Sequence, residues 1–107
     1  MNDYYNDFYG CFVEKLKNAN YEMRDQDIDY FVKRFLLEGV IISTIEIEYF
    51  EYFTKTFNSE SELQSILENI KEQYSTHEWV IGQYRFEDGQ LIVPLLKCSK
   101  EKIIGGR

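Results

Sequence analysis

The residues from Ser43 to Phe57, STIEIEYFEYFTKTF, hold the chain's densest mixture of aromatic rings and carboxylates, and the periodicity read into them decides the fold. On a helix at about 100° per residue, Ile45, Tyr49, Phe50, Tyr52, Phe53, Thr56 and Phe57 share one arc of about 160°. Ile47, Glu48, Glu51, Thr54 and Lys55 fall outside it. Ser43 and Glu46 then have the spacing of a capping box, with Ile42 and Ile47 as its hydrophobic staple. A strand through Val40 to Tyr49 competes, because Val40, Ile41, Ile42, Thr44, Ile45 and Ile47 are β-branched and residues 45–49 alternate apolar with acidic. Alternation fails at Tyr49-Phe50 and again at Tyr52-Phe53. The spacing therefore predicts a helix, with an extra strand near residues 40–48 as the alternative.

Two helices are predicted ahead of this stretch. Tyr4, Tyr5, Phe8, Cys11, Phe12, Leu16 and Ala19 gather on one side of a helix from about Asp3 to Asn18. Gly10 inside it costs about 1 kcal/mol relative to Ala, which predicts either a close helix crossing or a break there. The second helix follows Asp25 as its cap, carries Asp27 and Asp29 in its first turn where the helix dipole favours carboxylates, and stops at Gly39. Tyr21 and Met23, in the connection, are expected to fold back on the core.

After the central stretch, Ser59 and Glu62 repeat the capping-box spacing ahead of a helix to about Tyr74 that buries one narrow stripe, Leu63, Ile66, Leu67, Ile70 and Tyr74. Trp79–Phe86 and Leu91–Leu96 are β-rich runs around Asp88-Gly89, the dipeptide of a type I′ hairpin turn. With those two as the loop, Phe86 pairs with Leu91, Tyr84 with Val93 and Ile81 with Leu96. Val80, Tyr84, Phe86, Leu91, Val93 and Leu95 then form the face that packs on the helices. Pro94 lacks a ladder donor, which predicts that its strand is an edge, or is bulged or unpaired at that point. The fold class expected is α+β: about four helices packed against a C-terminal antiparallel hairpin, with residues 1–98 as one domain and 99–107 as a loose tail.

The formal charge of −7 is unevenly divided: residues 1–76 carry fifteen Asp and Glu against seven Lys and Arg, and residues 77–107 four against five. Nucleic acid and anionic membranes reward the opposite sign, so direct binding to either is not expected and a basic protein is the expected partner. The helices of a winged-helix reading would present Glu48, Glu51, Glu68 and Glu72 to DNA. The polar start MNDYYNDFYG lacks the pattern of a signal peptide and no run is long enough to span a bilayer, so a cytoplasmic location is expected. Cys11 and Cys98 lack metal or redox spacing and are read as reduced core residues.

No catalytic constellation emerges. His77 is the only histidine and no motif ties it to a nucleophile. Asp25-x-Asp27-x-Asp29 lacks the glycine and final glutamate of a calcium loop, and no phosphate-binding glycine motif is present. The expectation is a non-enzyme without metal or cofactor, monomeric or weakly dimeric. What remains is binding, since tyrosines bury large area at low entropic cost while carboxylates steer a basic partner. The candidate partner-binding residues are Glu46, Glu48, Tyr49, Glu51 and Tyr52, and separately Asp3, Tyr4, Tyr5 and Asp7. In size and charge the chain resembles toxin-immunity proteins, which implies an immunity protein or antitoxin that blocks a basic nuclease toxin. A phage anti-defence inhibitor that mimics DNA, as anti-CRISPR proteins do, and a homo-oligomeric adaptor are the alternatives.

Overall fold

The structure, a computed structural model, describes residues 3–103. The order is α1 (Asp3–Asn18), α2 (Asp25–Glu38), a 3₁₀ turn (Ile42–Thr44), β1 (Glu46–Thr56), α3 (Glu60–Gln73), β2 (Trp79–Ile81), β3 (Arg85–Glu87) and β4 (Gln90–Ser99). The class is α+β, with three helices against an antiparallel sheet. Among the described residues no helix is long and apolar enough to cross a membrane.

β4 is the centre of the sheet. It pairs with β1 along one side and with β2 and then β3 along the other. Its even-numbered residues Leu96 and Cys98 join Phe8, Phe12, Phe31, Phe35, Phe50 and Val80 in a core beneath α1 and α2. Its odd-numbered Leu91, Val93 and Leu95 join Ile66 and Ile70 of α3 in a second core on the opposite face. The molecule is thus three layers, with the helical hairpin α1–α2 above the sheet and α3 below.

That layering corrects the helix expected over residues 43–57. The stretch is strand β1, and the count of helices among the described residues falls from four to three. Both faces of β1 meet apolar layers: Phe50 packs toward α1 and α2, Phe53 toward α3. A β-bulge between Ile47 and Tyr49 shifts the register once more. Alternation fails because either face can be apolar, not because the chain is helical. The capping box at Ser43 and Glu46 has no helix to cap. Instead the Thr44 hydroxyl donates to Ile41 O at 2.6 Å and accepts from Glu101 N at 2.9 Å.

Pro94 lies in the central strand and not at an edge, but at a point where its nitrogen is left unpaired. Its carbonyl accepts from Gly82 N–H at 2.7 Å, so its nitrogen faces the same side, where β2 has ended and β3 has not begun. No ladder donor is required at that gap. Gly82 fits there because it has no side chain: a Cβ would sit 2.8 Å from Pro94 Cβ and 3.0 Å from Phe31 Cζ.

The gap shifts the hairpin. Phe86 opposes Leu91 as expected, and Asp88 (φ 54°) and Gly89 (φ 76°) supply the positive φ angles of the turn. Beyond Gly82, Ile81 opposes Leu95 rather than Leu96, and Val80 faces α1 and α2 with Leu96. Tyr84 and Phe86, expected to pack on the helices, are exposed, and Arg85 is the residue turned inward.

The helices follow the pattern closely. α2 ends at Gly39 in the left-handed conformation (φ 76°), while its N-cap is Arg24, without the side-chain bond expected of Asp25. Ser59 caps α3 by accepting from Glu62 N at 3.2 Å, and Glu62 reaches back to Asn58 N at 2.8 Å. α1 runs unbroken through Gly10, where an added Cβ would meet no atom within 4 Å, so neither a close crossing nor a break is present. Tyr21 and Met23 pack on the first core. Cys98 is buried, but Cys11 is exposed and not a core residue; both thiols are free. From the segment expected as a tail, Ser99 closes β4, Lys102 bridges to Val40 and Ile103 N donates to Gly39 O; 104–107 lie outside the described residues.

Candidate protein-binding face

The predicted residues divide into an exposed set and an internally bonded set. On β1, Glu46 and Glu48 are exposed and Glu51 is half-buried. Tyr49 is 42% exposed, and its hydroxyl donates to Glu51 Oε1 at 2.7 Å. That bond is the first cause of a phenol pKa above the usual range, so Tyr49 keeps its proton. The ring stands edge-on to Trp79 at 6.2 Å, and Trp79 stands edge-on to Tyr74 at 4.7 Å. Tyr21 also stands edge-on to Tyr49, at 6.2 Å. The bulge at Glu48 places its carboxylate 3.5 Å from Lys97 Nζ, an exposed pair of small energetic weight. The result is a ring held by other rings, with carboxylates at its border.

Tyr52 does not belong to that surface. Its hydroxyl donates to Asp27 Oδ2 at 2.5 Å and accepts from Arg24 N at 2.8 Å. Burial and the Asp27 bond push its phenol up to about 12. Asp27 is only 2% exposed and takes a bidentate pair from Arg85, at 2.9 and 3.0 Å. Glu87 then joins Arg85 (3.1 Å) to Arg24 (2.7 Å), and its carboxyl lies below the usual range, chiefly through Arg24. Both guanidinium groups lie over the Tyr52 ring, at 5.4 and 5.8 Å. This network links α2, β1 and β3 and satisfies itself. Sequence reasoning missed it, having read Asp27 as an aid to the helix start; only the charge at Arg85 between two aromatic strand residues hinted at an inward partner.

The α1 set divides in the same way. Tyr4 is 58% exposed and Asp7 is exposed, whereas the Tyr5 hydroxyl donates to Asp29 on α2. That bond raises the Tyr5 phenol to about 12 and lowers the Asp29 carboxyl. Asp3 opens α1, and its side chain lies outside the described residues. Tyr5 and Tyr52 are therefore structural hydroxyls, and Glu46, Glu48, Tyr49 and Glu51 form the coherent candidate face.

A cleft of about 520 Å³ lies beside β2, lined by Arg34, Glu38, His77, Trp79, Lys100 and Lys102 among others. Its cations are spent internally: Arg34 on Glu38 (3.1 Å) and Ile81 O (3.1 Å), Lys100 on His77 O (3.0 Å), Lys102 on Glu38 (3.6 Å). Among the described residues no group of three or more His, Cys, Asp and Glu side chains is placed to hold a metal ion. No family model, curated protein or solved structure matches the chain.

Proposed function

We propose that the chain is a small acidic, non-enzymatic inhibitor that binds a basic protein, and specifically a cytoplasmic bacterial immunity protein or antitoxin that blocks a nuclease toxin. The observation that supports it is the β1 face, where Tyr49 is fixed by Glu51, Trp79 and Tyr21 and bordered by Glu46 and Glu48. A ring already immobilised loses little further entropy on binding, and carboxylates set around it occupy the place of a substrate's phosphates in a cationic site. The net charge of −7 adds long-range steering toward such a partner.

The test is capture from native lysate on the immobilised chain at low and at high salt, followed by identification. A stoichiometric basic nuclease, retained less strongly at high salt, is the expected result. Retention of no protein at either salt overturns the reading. Retention of a nucleic-acid-binding defence complex replaces toxin immunity by anti-defence inhibition.

A further inference from the structure

Among the described residues, one side of β1 has no strand partner. Pro94 O accepts from Gly82 N–H at 2.7 Å and Cys98 N–H donates to Glu78 O at 2.9 Å, so the main chain at these even-numbered β4 positions faces β2 and its flanks. Main-chain groups of successive strand residues alternate sides. Val93, Leu95 and Lys97 accordingly face β1, opposite Phe53, Glu51 and Tyr49. The intervening residues Phe50, Tyr52, Thr54 and Thr56 direct their donors and acceptors away from the sheet. Among the described residues β1 pairs with β4 alone and no main-chain bond from elsewhere reaches that edge; the Tyr21 hydroxyl donates to Glu48 O at 3.4 Å, short of the segment from Phe50 to Thr56. Thr54, Lys55 and Thr56 are exposed.

An open edge recruits another strand, and its side chains determine which. We infer that this edge pairs antiparallel with the same edge of a second copy of the chain, about a two-fold axis through Phe53. In that register Phe50 opposes Thr56 of the second copy and Tyr52 opposes Thr54, so every outward donor meets an outward acceptor. Between them Glu51 opposes Lys55 of the second copy, twice by symmetry, and Phe53 opposes its own counterpart. These lie at the non-hydrogen-bonded positions, where side chains approach most closely. Other registers lose this match. A two-fold through Glu51 or through Lys55 sets like charges against each other. A two-fold through Tyr52 or Thr54 leaves both charges opposite uncharged residues. The interface is isologous, as closed dimers require, and joins two sheets into one with the β1 strands at its centre. It does not rest on the inhibitor reading: Glu46 and Glu48 lie beyond the paired segment, and Glu51, which holds the Tyr49 hydroxyl on that face, is shared by both.

Sedimentation of the full chain over a concentration series tests it. The wild type is expected to show a reversible monomer–dimer equilibrium. E51K and K55E each set like charges opposite one another and are expected to weaken the dimer by roughly tenfold or more. The swap E51K/K55E restores the pairing and should return the dissociation constant to about the wild-type value. Thr54→Pro removes an outward N–H that no β4 residue uses and should leave a monomer with unchanged circular dichroism. A wild-type monomer at every concentration overturns the inference. So does a dimer that the single charge variants leave unchanged, or one that the double variant fails to restore.

Discussion

Asp27 ties three elements through one carboxylate, bonded to Arg85 on β3 and to Tyr52 on β1 from its place on α2. Removing one member of such a pair leaves a charge in a poorly solvated site. Asp27→Ala is therefore expected to cost about 3 to 5 kcal/mol in chemical denaturation. The phenols give a second prediction. Tyr52, held by burial and by Asp27, and Tyr5, held chiefly by its bond to Asp29, titrate near 12, against about 10 in an unfolded chain. The native state retains protons that the unfolded state releases, so this stabilisation is complete below about pH 10 and is lost as pH rises toward 12. Tyr52→Phe should flatten the fall of unfolding free energy across that window; an unchanged slope contradicts the assignment. Asp29 acts in the opposite direction: lowered chiefly by Tyr5, it contributes fully above the ordinary carboxylate range and less as pH falls through its folded value.

At the scale of elements, what could be read in advance depended on how many faces an element buries. α1, α2 and α3 each bury one face, so Phe8-Phe12-Leu16, Ile28-Phe31-Val32-Phe35 and Ile66-Ile70 carry the helical period in plain view. The Asp88-Gly89 turn was legible because its φ angles demand those residues. β1 and β4 lie between two layers, where Phe50 and Phe53, or Leu95 and Leu96, are apolar on successive positions and the two-residue period vanishes. Of the candidate site, Glu46, Glu48, Tyr49 and Glu51 were visible in composition. That Tyr52 turns inward was not, because its partners Asp27 and Arg85 stand 58 residues apart and nothing in the stretch around Tyr52 points to them. Gly82 had no local signal either. Its role follows from the approach of Pro94 and Phe31, and Gly82→Ala is expected to cost about 1 to 3 kcal/mol by overpacking, read as a lowered melting temperature.

For the molecule as a whole, the network around Asp27 holds β3 and β1 to α2, and this fixes the sheet that presents Tyr49 and its carboxylates. A basic partner approaching the net charge of −7 is steered before contact, so E46K/E48K should slow association and reduce its salt dependence while unfolding free energy changes little. The measurement that bears most directly on the inhibitor assignment is a titration of the captured nuclease's cleavage activity with the purified chain. Cleavage should fall to zero near one equivalent, with Y49A and E46K/E48K each requiring an excess. Full cleavage in a large excess of the wild-type chain would contradict the assignment.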